Sequence, residues 1–265
     1  MTMTRQYPSF VFSHAVLRRP SKNIDQGLRA VDVGAPDYAK FLQQHENYAA
    51  ALTDAGVKVD ILPALEDFPD AVFIEDDALC LPNMVIQLRP GAESRQGEAK
   101  ILFPHIAPRF KTSHIVTSPG HIEGGDILVT EQEIIIGLSA RTNQAGAEAV
   151  RRLAETINRP VRIVETPSGV LHFKTDCALL DKNTILTTKR LAESHVFDGY
   201  HTLFVPDDEQ AAANSIRVNG HVIIPSGYPK TAKMLNSAGY NAVTVDISEA
   251  AKLDGGLSCM SLRYG

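Results

Sequence analysis

Four times along this chain, two apolar or alternating runs flank a two-residue polar turn. AVFIEDDALCL and MVIQL meet across Pro82-Asn83, GDILVT and EIIIGL across Glu131-Gln132, DCALLD and TILTT across Lys182-Asn183, and NSIRV and HVIIP across Asn219-Gly220. Short polar turns between β-prone runs predict β-hairpins. Their recurrence at roughly 40 to 50 residues marks an array of similar structural units. Helices fall between them. From Asp37 to Ala55, Tyr38, Phe41, Leu42, His45, Ala49 and Leu52 lie at helical spacing; Gly56 ends the segment and VKVDIL follows as a strand. The same helix-then-strand order recurs where Ala147, Val150, Leu153, Ala154 and Ile157 precede VRIVE, and where Thr231 to Ser237 leads through Gly239 into NAVTVDI. A fifth hairpin is completed if the final strand, CMSLRYG, pairs with the first, FVFSHAVLRR. The expectation is therefore one α/β domain over residues 1–265, a closed five-unit propeller whose ends join. A doubly wound nucleotide-binding sheet is the rival, but no GxGxxG follows a first strand and the hairpins fit poorly in a parallel sheet.

The formal net charge of −5 gives no general attraction to phosphate backbones or anionic lipid. Neither nucleic acid nor membrane is expected as a partner. No apolar stretch approaches the roughly 18 residues of a membrane-spanning helix, and MTMTRQYPSF lacks a signal-peptide layout, so the expected location is the cytoplasm. Three widely spaced cysteines do not suggest a disulfide framework.

If the five units are equivalent, the residues leading into each hairpin gather at one end of the ring. Those residues are Glu75 and Asp76 in FIEDD, Glu123 and Asp126 in EGGD, His172 in LHFKTD and Cys259 in GGLSCMS. Cys259 follows two glycines that allow close backbone approach, whereas Cys80 and Cys177 sit inside apolar strands and read as small core residues. A free thiol, with a pKa near about 8.5, needs a cationic neighbour to act as a nucleophile at neutral pH. His172 or a cationic substrate supplies one. Glu75 and Asp76 within an apolar run imply a buried cationic partner, because an unpaired buried carboxylate costs several kcal/mol. Arg95 and Arg141 carry planar donor forks suited to a carboxylate. His121-x-Glu123 matches half of a zinc deaminase motif, but PCxxC is missing. With no HExxH or Cys/His cluster among nine histidines, no metal or other cofactor is expected.

The segments FPDAVFIEDDAL, LRPGAESRQGE, EGGDIL, GLSARTNQAGA, LHFKTD and KLDGGLSCMSLRYG, in this order, resemble the bacterial dimethylarginine dimethylaminohydrolases. The resemblance implies the guanidino-group modifying superfamily and its five-bladed α/β propeller of ββαβ units, the pentein fold. It implies hydrolysis of Nω-methylated or Nω,Nω-dimethylated L-arginine to citrulline and methylamine or dimethylamine. By the same resemblance Cys259 is the nucleophile, His172 the general acid/base and Glu123 the carboxylate orienting it. Asp76 grips the guanidinium; Asp70 and Glu75 belong to the substrate pocket, with Asp70 near the α-amino group. Arg95 and Arg141 hold the α-carboxylate, Leu28 lies on a lid loop, and Leu253 is an apolar neighbour of the nucleophile. A deiminase acting on arginine or another N-substituted arginine is the alternative, and a non-catalytic guanidino-binding protein the more distant one. The resemblance leaves a homodimer open.

Overall fold

The computed structural model describes residues 9–265, so the reading of the first eight as no signal peptide lies outside them. Five three-stranded sheets are built to one plan: an antiparallel hairpin, a helical connection, then a strand parallel to the hairpin's second member. One sheet joins the ends of the chain. In it β1 (His14–Arg18) is followed by α1 (Tyr38–Asp54) and β2 (Lys58–Leu62). The second comprises β3 (Ala78–Leu81), β4 (Met84–Gln87), α2 (Gln96–Ile106) and β5 (Thr112–Ile115); the third, β6 (Ile127–Val129), β7 (Ile134–Leu138), α3 (Gln144–Glu155) and β8 (Val161–Glu165). The fourth contains β9 (Cys177–Leu179), β10 (Thr184–Thr187), the single turn α4 (Lys189–Ala192) and β11 (His201–Phe204); the fifth, β12 (Ile216–Val218), β13 (His221–Pro225), α5 (Pro229–Ser237) and β14 (Asn241–Val245). After α6 (Ser248–Ala251), β15 (Leu262–Tyr264) pairs antiparallel with β1, Val16 opposite Leu262, and so supplies the first member of the sheet that β1 and β2 complete.

The structure bears out the five-unit pentein architecture. Two of the four turns are the two-residue links read from the sequence, with Asn83 and Asn219 at φ 63° and 52°, a region that asparagine tolerates better than most residues. At Gly56 and Gly239, φ of 85° and 89° ends a helix. The first strand of each sheet lines the ring axis, around a cavity of about 640 Å³. Apolar side chains fill the space between sheets and helices: Phe41, Tyr48 and Leu52 of α1 pack with Leu17, Val218 and Ile223. Burying each such side chain contributes roughly 1.5 to 3 kcal/mol. Among the described residues no helix is long and apolar enough to cross a membrane.

The Asn219 side chain ties neighbouring sheets where the ring closes. Its Oδ1 accepts from Phe12 N at 2.9 Å, and its Nδ2 donates to Phe12 O at 3.1 Å and Ala55 O at 2.7 Å. Asn219→Gly keeps the turn conformation and loses these bonds, so urea unfolding is expected to show a loss of about 1 to 3 kcal/mol. Asn219→Ala adds left-handed strain and loses more. Equal stability of wild type and Asn219→Gly contradicts the clamp.

Candidate active site

Each hairpin is led in by a short 3₁₀ turn: Ile74–Asp77, Gly124–Asp126, Phe173–Thr175, Asp207–Ala213 and Ser258–Met260. The pseudo-symmetry that repeats the hairpins brings four of these turns around one small cleft, distinct from the axial cavity. Asp76 lies in the first turn, Glu123 and His172 immediately precede the second and third, and Cys259 lies in the last.

Cys259 is fixed by its own loop. Gly256 N donates to Sγ at 3.4 Å, Asn214 Oδ1 accepts from Ser258 N at 3.1 Å, and Tyr48 Oη donates to Leu257 O at 2.9 Å. A Cβ on Gly255 would strike the Phe73 ring, and one on Gly256 the Asn214 side chain, which explains the glycine pair before the cysteine. The thiol is 7% exposed. Burial first, then Glu75 and Asp76, push it up to about 12. Without a ligand the sulfur is therefore a neutral thiol at physiological pH.

His172 Nε2 lies 2.6 Å from Glu123 Oε2. Glu123 is fully buried, and its Oε1 accepts from Gly91 N at 2.9 Å while Arg141 Nη1 stands 3.5 Å away. Burial opposes the charge on His172, but Asp76, the hydrogen bond to Glu123, and Asp126 outweigh it and raise the imidazole to about 9. The ring is thus an imidazolium at neutral pH. Gly125 makes room for it, since a Cβ there would come within 2.6 Å of Nδ1.

Asp76 Oδ1 accepts from Gly125 N at 3.0 Å and Oδ2 from Arg95 Nη1 at 2.7 Å. Burial would raise its carboxyl, but His172 and Arg95 hold it below the usual range. One ligand atom each of Asp76, Glu123 and His172 falls within 4.8 Å of the others. That cluster suits a compact cation. Asp70 Oδ1 accepts from Leu28 N at 2.9 Å, which ties the loop leading to α1 across the cleft mouth. Asp254 Oδ2 adds a second tie, to Ala30 N at 2.6 Å.

The cleft, about 170 Å³, is lined by Leu28, Asp70, Asp76, Arg95, Glu123, Arg141, His172, Leu253 and Cys259. Glu75 is the exception. It is not part of the cleft lining; its side chain points to the axial cavity, where Oε1 pairs with Lys174 Nζ at 2.5 Å and Arg263 Nη2 at 3.1 Å. Neighbours on a tight turn face different ways, so the Glu75 side chain is not among the groups gathered in this cleft, although its charge reaches Cys259. Arg95 lines the cleft but is only 5% exposed and already gives hydrogen bonds to Asp76, Glu98 and the Phe73 carbonyl, so Arg141 has the freer fork. Cys80 and Cys177 lie in β3 and β9, away from the cleft, with burial raising both thiols. Asn214, Asp254 and Glu98 escaped the sequence reading. Only Glu98 carried a readable signal, an acidic residue one helical turn beyond Arg95.

A propeller of the pentein fold with a buried cysteine and a charged histidine lining one cleft is the class that ring and cleft define. The family model for eukaryotic N,N dimethylarginine dimethylhydrolase matches residues 36–180. The N(G),N(G)-dimethylarginine dimethylaminohydrolase of Pseudomonas aeruginosa is 40% identical over 256 residues, 96% of this chain and 100% of that one. Its namesake from Streptomyces coelicolor is 32% identical over 252 residues, 94% of this chain and 96% of that one. The solved P. aeruginosa enzyme, a cysteine-to-serine mutant complexed with citrulline, superimposes with a TM-score of 0.93 at 39% identity, covering 96% and 100% of the two chains. The chain belongs to the dimethylarginine dimethylaminohydrolase family.

Because Glu123 helps hold the proton on His172, Glu123→Gln is expected to lower the histidine pKa from about 9 by about one unit or more. The imidazolium then gives up its proton at lower pH. An NMR titration of labelled histidine reads the change, and an unmoved His172 contradicts the pairing.

Proposed function

We propose that this chain hydrolyses Nω-methylated and asymmetrically dimethylated L-arginine to L-citrulline, releasing methylamine or dimethylamine. The observation that carries the reading is the small cleft in which buried Asp76 and Glu123 converge beside Cys259 and a protonated His172. Citrulline in the P. aeruginosa structure, and the adduct of a related dimethylarginine dimethylaminohydrolase with S-methyl-L-thiocitrulline, support it.

A guanidinium is a poor electrophile because resonance spreads its charge, so it must be held in place for attack. Asp76 and Glu123 provide that hold through charge-assisted hydrogen bonds. The bound cation favours ionisation of Cys259, whose proton leaves to solvent, and the thiolate adds to the guanidinium carbon. His172 then gives its proton to the departing amine as the carbon–nitrogen bond breaks, leaving an S-alkylthiouronium on Cys259. Neutral His172 takes a proton from water as the water adds to that carbon. Collapse breaks the carbon–sulfur bond while the hydroxyl proton passes to solvent, freeing citrulline and regenerating the thiolate. The cycle draws on no cofactor. Arg141, and the fork of Arg95 as far as its protein partners allow, would face the α-carboxylate; Asp70 would face the α-amino group, and Leu28 and Leu253 the alkyl chain. Three cysteines without disulfides and the net charge of −5 support a reducing, cytoplasmic setting and a small-molecule substrate.

The test is citrulline formation from arginine, Nω-methylarginine, the two dimethylarginines and agmatine, with the released amine identified. The expected result is turnover of the monomethyl and asymmetric dimethyl compounds; ammonia from arginine alone contradicts it. Cys259→Ser is expected to abolish turnover and keep binding. Arg141→Ala is expected to raise KM about 10- to 100-fold through loss of a charge-assisted pair worth roughly 1.5 to 3 kcal/mol; an unchanged KM contradicts its assignment.

A further inference from the structure

We propose that Glu98 is a positioning residue of the guanidinium pocket: by engaging Arg95 from behind, it leaves the negative charge of Asp76 available to a cationic substrate. The inference rests on the methylarginine reading and deepens it. Asp76 is one of the buried carboxylates at the cleft, yet its Oδ2 already accepts from Arg95 Nη1 at 2.7 Å. An aspartate paired with one arginine of its own is neutral and offers a second cation little attraction. The structure answers this with a second anion. Glu98, in the first turn of α2, takes the two remaining nitrogens of the same guanidinium on one oxygen: Oε2 accepts from Arg95 Nε at 3.1 Å and from Nη2 at 3.0 Å. At contact distance Arg95 thus faces two carboxylates.

Glu98 is 1% exposed and does not line the cleft, so it acts on a ligand only through Arg95. The other charged groups facing it are Asp70, Asp76, Asp77 and Arg18. Asp77 is buried with both oxygens unpartnered, and burial, then the charge of Glu98, pushes its carboxyl well up. Arg18 hydrogen-bonds neither Glu98 nor Asp76, since its Nη1 donates to the Pro63 carbonyl, and its charge acts on Glu98 only at longer range. Burial raises Glu98 itself to about 7 against the pull of Arg95. Above that pH it is a carboxylate.

The test uses Cys259→Ser as the parent and calorimetric Kd values at pH 8 for two ligands. Asymmetric dimethylarginine is a cation; citrulline shares its amino-acid end and carries a neutral urea. A parent that binds neither ligand overturns the methylarginine reading, and this proposal with it, before Glu98 is altered. With binding in the parent, Glu98→Gln is expected to weaken dimethylarginine about tenfold or more and citrulline by less than about twofold, because Arg95 then neutralises Asp76 fully. Equal weakening of both ligands, the signature of a merely structural role, overturns the proposal, as does no change in either. Arg95→Gln combined with Glu98→Gln removes one charge of each sign and frees Asp76. Its preference for dimethylarginine over citrulline is expected to return to the parent's, whether or not the single variant folds. A double variant that keeps the lost preference overturns the charge argument.

Discussion

A carboxylate taken out of water must be answered by positive charge, and this constraint organises the cleft. Asp76 and Glu123 are both buried and stand within a few ångströms of each other beside an acid-stabilised imidazolium. Arg95, Arg141 and His172 answer part of the charge these two share with buried Asp70 and Glu98, four carboxylates against three cations. What remains is a place for one more cation, flat and small enough for the cleft and rich enough in donors to meet two carboxylates. A guanidinium meets those terms. The same charges explain why Cys259 rests as a thiol: burial and the nearby carboxylates oppose a thiolate until a cation enters.

The ring makes the cluster possible. No two of Asp76, Glu123, His172 and Cys259 share a sheet, and the nearest pair in sequence is separated by a whole helix and three strands. They meet because each occupies an equivalent place, the 3₁₀ turn ahead of its sheet's first strand or the residue leading into it. The fourth turn carries no reacting group; Asn214, which follows it, instead fixes the backbone of the nucleophile's loop. Closure of β15 on β1 completes the circle, placing a cysteine from the end of the chain among groups from its first two-thirds.

Much of this was legible in the sequence because hairpin turns repeat and strands have short-range periodicity. Asn83 and Asn219 announced their turns, Gly56 and Gly239 their helix ends, and the Gly255-Gly256 pair a crowded backbone ahead of Cys259. The symmetry argument then located the site. It failed where adjacent side chains diverge: Glu75 and Asp76 are sequence neighbours, but one faces the axial cavity with Lys174 and Arg263 and the other the cleft. The partners that set the charge of a group also stayed hidden. Arg95 read as a free fork, and only the folded chain shows its hydrogen bonds running to Asp76 and Glu98.

The central claim is that the substrate's own charge completes a site whose nucleophile is otherwise un-ionised. Thiolate absorbance near 240 nm, taken as the difference between ligand-free wild type and Cys259→Ser across a pH titration, tests it directly. The account predicts no thiolate from Cys259 at pH 8. A full thiolate band already at pH 7 would contradict it and show that the protein alone, rather than the bound guanidinium, ionises the sulfur.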